Sequence, residues 1–167
     1  MSAKAPKMIH IHSDSPKRSE QLGAALGKLL GAGDLICLSG QLGAGKTLLS
    51  RGIGLGWGAD PPLSSPTFNL VHEHRRNCDE MRLLHIDLYR ISGPADAASL
   101  GIDDIVDSDD IVIIEWSERL SGYLPADRLR IDIELGGAQE RELIVCARGQ
   151  RHLRLLDAWR EATLAGT

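Results

Sequence analysis

The eight residues Gly40-Gln41-Leu42-Gly43-Ala44-Gly45-Lys46-Thr47 constrain this chain more than any others, because they spell G-x-x-x-x-G-K-[ST]. Glycines at these positions let successive backbone N–H groups turn inward around phosphate oxygens, the lysine adds a point charge, and the threonine hydroxyl can ligate a divalent cation. Such a loop works only between a buried strand and the positive end of a helix. Leu35-Ile36-Cys37-Leu38-Ser39 is the short apolar run expected of that strand, and Thr47-Leu48-Leu49-Ser50-Arg51 opens the helix. The motif therefore predicts an α/β fold and a bound nucleotide triphosphate with Mg²⁺.

The rest of the chain reads as alternating strand and helix. Met8 to His12 forms a first strand, and Pro16 to Leu30 a helix with Ser15 as its cap, an apolar stripe of Leu22, Ala25, Leu26 and Leu29, and Gly31 as its stop. The series Gly52, Gly54, Gly56 and Gly58 predicts that the helix after the loop frays early, and Asp60 to Pro66 reads as a loop. Phe68 to His74 and Met81 to Asp87 suggest a hairpin, and Ala95 to Leu100 a short helix. Ile111 to Ile114 is a β-branched run of the kind buried on both faces, ending in Glu115. Two alternating strands, Leu129 to Leu135 and Glu142 to Ala147, precede a C-terminal helix within 149–164. The expectation is one P-loop NTPase domain over 1–167, with a mixed central sheet flanked by helices, the last two strands antiparallel and 1–7 disordered.

Composition excludes several classes. With 167 residues and 43% hydrophobic content the chain can bury an ordinary core, and no run approaches the ~18 apolar residues of a membrane span. Met1 to Lys7 lacks the apolar stretch of a secretory signal, and Cys37, Cys78 and Cys146 are widely spaced, so free thiols and a cytoplasmic location are expected. Net charge is −4, with Asp103, Asp104, Asp107, Asp109 and Asp110 in one run that reads as a solvated loop or a surface for a basic partner. Arg148, Arg151, Arg154 and Arg160 are too diluted for strong direct nucleic-acid binding. Neither a membrane nor DNA is an expected partner.

Beyond the loop, three places could carry chemistry. Glu115 stands at the carboxyl end of a buried strand, where a second acidic group can hold Mg²⁺ or orient water. In Leu84-His85-Ile86-Asp87 the two-residue period puts His85 and Asp87 on one face, where Asp87 could join the metal shell or the two could simply hydrogen-bond each other. A hydroxyl at Thr67, in Ser65-Pro66-Thr67-Phe68, could sense the terminal phosphate as switch segments do. Trp116 on its own would suggest core packing.

These segments, in this order and together with His85-Ile86-Asp87-Leu88-Tyr89-Arg90 and Glu115-Trp116, resemble the TsaE family, formerly YjeE, from about Ser13 to Ala147. The resemblance implies an ATPase that assists bacterial formation of threonylcarbamoyladenosine beside the tRNA anticodon by binding the TsaD–TsaB heterodimer, with tRNA reached through that complex. It implies that Gly43, Ala44, Gly45, Lys46, Thr47 and Leu48 wrap the phosphates of ATP and that Thr47 and Glu115 hold Mg²⁺. It further implies that Thr67 acts in a switch, that Asp87 and Trp116 support hydrolysis, and that Ser15 and Arg141 touch nucleotide. Gln41 and His74 depart from the family, which usually has an acid and often a tyrosine there. A small-molecule kinase and a nucleotide-gated binding protein with little hydrolysis share the loop and stand as alternatives. A GTPase does not, since the chain has no Asp-x-x-Gly and no Lys-x-Asp.

Overall fold

In the computed structural model, which describes residues 4–64, 70–120 and 122–166, one seven-stranded sheet carries every strand. The strands are β1 (Lys7–Ser13), β2 (Leu35–Ser39), β3 (Val71–Arg75), β4 (Arg82–Asp87), β5 (Ile111–Glu115), β6 (Leu129–Leu135) and β7 (Arg141–Ala147). The helices are α1 (Pro16–Gly27), α2 (Lys46–Trp57), α3 (Pro94–Ser99), α4 (Ile102–Val106) and α5 (Gln150–Leu164), with a 3₁₀ turn at Ser117–Leu120. Spatial order is β1-β7-β6-β2-β5-β4-β3. A parallel centre, β6-β2-β5-β4, is extended by antiparallel β7 and β1 on one side and by antiparallel β3 on the other. The fold is thus α/β with a mixed sheet.

Strand alternation assigns side chains to two cores. Ile36, Leu38, Ile111 and Ile113 pack with Leu22 and Leu26 of α1, Leu49 and Ile53 of α2, and Leu156 and Trp159 of α5. Leu35, Cys37, Val112 and Ile114 face the other way, against Ala97 of α3, Ile102 of α4 and Leu120. Both faces of β2 and β5 are covered, which is why their sequences are continuously apolar. Cys37, Cys78 and Cys146 are free thiols, and burial pushes that of Cys37 up to about 12. Among the described residues no helix is long and apolar enough to cross a membrane.

Four expectations change. Helix α1 stops at Gly27 instead of Leu30, because the chain tightens into i→i−3 bonds from Leu29 to Leu26 and from Leu30 to Gly27. Helix α2 does not fray: it runs twelve residues to Trp57, because Gly52 and Gly56 lie against the α1 backbone and Gly54 against the Leu63 side chain. The acidic run is partly helical, anchored by fully buried Ile102, with Asp103 and Asp104 in the first turn of α4 where carboxylates suit the helix dipole. Lys7 of β1 already pairs with Ala147 of β7, so the first strand begins one residue before Met8.

Candidate functional site

The carboxyl ends of β2, β5 and β4 lie side by side, with Leu38 in register with Glu115 and Glu115 in register with Asp87. This is where an open α/β sheet holds ligands. The loop leaves β2 with Gly43 and Gly45 at φ of 81° and 103°, left-handed values that a Cβ would strain. Gly45 is the N-cap of α2 and makes no side-chain cap hydrogen bond, so the first amides of the helix carry no side-chain acceptor. The glycines thus leave the helix start open, the arrangement in which helix N-termini can receive an anion.

Lys46, 5% exposed, turns back over the loop, donating to the carbonyls of Gly40 and Gln41, the latter at 3.0 Å. Its Nζ also lies 3.7 Å from the centroid of the Trp116 ring. Burial lowers its pKa, while the nearby carboxylates of Glu118, Glu115 and Asp87 oppose that shift. Trp116 has a φ of 58°, unusual for a bulky residue, and meets the Tyr89 ring in a tilted contact at 5.1 Å between centroids, flanked by the Arg119 guanidinium at 5.5 Å. Glu115, 1% exposed, accepts from the Thr47 hydroxyl at 3.1 Å through Oε2 and meets His85 Nε2 at 2.8 Å through Oε1. Burial alone would raise the pKa of Glu115, but His85, with help from the nearby Ser50 and Thr47 hydroxyls, carries it below the ordinary value. Asp87 goes the other way: burial raises its pKa, Glu115 adds to the rise, and the Tyr89 amide bonded to Oδ1 at 2.9 Å resists it. A cavity of about 370 Å³ opens between Gly43, Lys46, Thr47, Asp87, Glu115 and Trp116. Trp116 also lines a second cavity of about 620 Å³ beside Gly40, Gln41, Glu118 and Asp132. Volumes of this order suit a small organic ligand.

Comparison with known proteins shows what kind of chain carries this arrangement. The family model described as Threonylcarbamoyl adenosine biosynthesis protein TsaE matches residues 13–143. The chain belongs to the TsaE family. It is 45% identical over 114 residues to the tRNA threonylcarbamoyladenosine biosynthesis protein TsaE of Streptomyces coelicolor, an alignment covering 68% of this chain and 77% of that one. The Bacillus subtilis protein of the same name is 33% identical over 147 residues, covering 88% and 89% respectively. The crystal structure of Bacillus subtilis YdiB superposes with a TM-score of 0.77 at 26% identity, over 95% of this chain and 97% of that one.

In this TsaE-family chain Lys46, Thr47, Asp87, Glu115 and Trp116 meet around one cavity, with Gly43 and Gly45 at its rim. Leu48 continues the first turn of α2, and Ala44 is fully buried beneath the loop. Thr67, with the rest of Ser65 to Phe68, lies outside the described residues. Ser15 caps α1, accepting from the Arg18 amide at 3.2 Å and donating to Asp14 at 2.7 Å. Arg141 of β7 grips the loop from outside, donating to the carbonyls of Ala44 at 3.0 Å and Gly43 at 3.3 Å. Because a trans peptide points its N–H opposite its C=O, the hold on the Ala44 carbonyl turns the Gly45 amide away from Arg141. Of the two readings open for His85 and Asp87, the mutual hydrogen bond is not the one formed: the His85 ring bonds Glu115. Sequence reading passed over Tyr89 and Arg119, although Tyr89 stands within the His-x-Asp-Leu-Tyr-Arg element.

Proposed function

We propose that this chain binds ATP with Mg²⁺ at the loop and hydrolyses it, in support of the TsaD–TsaB complex as that complex modifies tRNA to threonylcarbamoyladenosine beside the anticodon. The observation that carries the reading is the convergence, in a TsaE-family chain, of Lys46, the uncapped start of α2 and the Thr47–Glu115 pair on one cavity. A hydroxyl and an ionised carboxylate 3.1 Å apart are hard oxygen donors that fit Mg²⁺. Among the described residues no cluster of three or more His, Cys, Asp and Glu could hold a metal, which suits an ion held by few protein ligands and by phosphates. When bound, the ion would neutralise charge on the phosphate oxygens.

The chain's own groups divide the remaining work. The amides of Gly43 to Leu48 receive the phosphates, and Lys46 leaves the Gly40 and Gln41 carbonyls to pair with them. Glu115 would be held ionised to ligate the cation, Asp87 would orient the attacking water, and Trp116 lies against the Lys46 ammonium. Thr67 responds to the terminal phosphate. Turnover by the isolated chain is expected to be slow, and TsaD–TsaB is expected to raise it. A cytoplasmic location, with tRNA reached through the partner complex, goes with this reading.

The test is phosphate release from the purified chain, alone and mixed with TsaD–TsaB, with and without tRNA. Lys46→Ala should abolish tight ATP binding, and Glu115→Ala should remove hydrolysis more than binding. Wild-type behaviour in both variants would reject the assignment.

A further inference from the structure

We propose that His85 is the positioning residue for Glu115, fixing which carboxylate oxygen faces Thr47 and the cation held there; this rests on the Mg²⁺–ATP reading above. Glu115 ends a strand covered on both faces and is 1% exposed, so each of its oxygens needs a partner inside the protein. Thr47 satisfies Oε2 and His85 satisfies Oε1. The terminal torsion of a glutamate is broad and roughly two-fold, so a hydroxyl on one oxygen leaves the carboxylate plane free to swing. A second bond to the other oxygen, from a ring that cannot move, removes that freedom.

The His85 ring meets that requirement. It is fully buried, and its backbone sits inside the sheet, paired with His72 of β3 on one side and Ile113 of β5 on the other. An ionised carboxylate only accepts, so Nε2 carries the hydrogen in this contact. Nδ1 has no hydrogen-bond partner among the described residues. A leucine would fill this space without the cost of an orphaned ring nitrogen, so packing does not explain a histidine here. Among the described residues its one side-chain hydrogen bond is to Glu115. Hydrogen-bond partners of ligating side chains characteristically tune metal affinity ~10–100-fold.

The test compares His85→Leu with His85→Gln, whose side-chain amide can still donate to Oε1. ADP binding is followed by calorimetry in EDTA and across a Mg²⁺ titration, with circular dichroism to confirm folding. His85→Leu should bind ADP in EDTA within about twofold of wild type yet need at least ~10-fold more Mg²⁺ for the same gain in affinity, and His85→Gln should recover most of that loss. In ¹⁵N-histidine-labelled protein without nucleotide or metal, the His85 Nε2 signal should be that of a hydrogen-bearing nitrogen and should move in Glu115→Ala. An unchanged Mg²⁺ requirement in His85→Leu, a folded His85→Gln no better than His85→Leu, or a bare Nε2 overturns the inference while leaving the ATPase reading intact. A wild-type chain that binds no nucleotide overturns both.

Discussion

Replacing Gly56 with alanine should loosen the helix pair on which the loop is mounted. Two matched glycine pairs meet at the crossing, Gly23 and Gly27 on α1 and Gly52 and Gly56 on α2. A Cβ built at Gly56 would stand 1.9 Å from the Ala24 carbonyl oxygen, and one at Gly27 would stand 2.0 Å from that of Ile53. Ordinary contact begins near 3.4 Å, so the helices must part by about 1.5 Å at that point. The obstructing atom is main chain, which no rotamer change can move aside. Overpacking costs about 1–3 kcal/mol, here toward the upper end, and alanine's helix propensity returns about 1 kcal/mol. A net loss of about 2 kcal/mol remains, or roughly 4–8 °C in Tm for a chain of this size. Urea denaturation should show a lower midpoint at unchanged slope. Gly31→Ala, with no heavy atom within 4 Å of the new Cβ, is the control and should stay within about 0.5 kcal/mol of wild type. If Gly56→Ala is as stable as wild type or more so, propensity outweighs the close approach and the account of α2 is wrong.

Arg141→Ala should weaken nucleotide binding about tenfold, equivalent to about 1.4 kcal/mol, by releasing the Gly43 and Ala44 carbonyls; calorimetry giving wild-type affinity would dismiss the clamp. Arg141→Lys should not restore affinity, because a single ammonium cannot reproduce a guanidinium fork. Ser15→Ala should cost about 1 kcal/mol of stability through the lost cap and leave nucleotide affinity alone, whereas a drop in affinity would return Ser15 to the nucleotide site. Stability should also fall below about pH 6.5. Burial lowers the pKa of His152, whose Nε2 accepts the Leu35 amide at 3.1 Å, with Arg151 assisting and Asp34 opposing, and burial lowers that of His74 in the same way. With native values below the ordinary 6.5, the unfolded chain takes up protons first. The stabilisation is complete above that pH and is lost as pH drops toward the native values. Asp34, whose pKa burial raises, acts in the opposite sense at lower pH. Urea midpoints from about pH 8 to 5 should trace this slope, and an equally steep slope in His152→Gln would discount His152 as a source.

What could be read from the sequence alone was whatever neighbouring residues decide among themselves. The P-loop needs only its own glycines, Lys46 and Thr47 between an apolar run and a helix, and β2, the loop and α2 lie where that spacing puts them. Ile111 to Ile114 announced a strand covered on both faces, and the alternation in Leu129 to Leu135 a strand with one polar face. Glu115 was legible as a candidate site residue because an acid closing such a run needs a partner. The identity of that partner was not, since His85 lies thirty residues earlier and reaches Glu115 only because β4 and β5 pair in parallel. Arg141, ninety-seven residues from Ala44, comes to the loop on a strand that had to be threaded beside β6 first. The α2 glycines misled for the same reason: in an isolated helix they only weaken it, and their value lies in a second helix backbone that local propensity cannot see. Short-range chemistry set the phosphate loop, and long-range packing decided which side chains aim it.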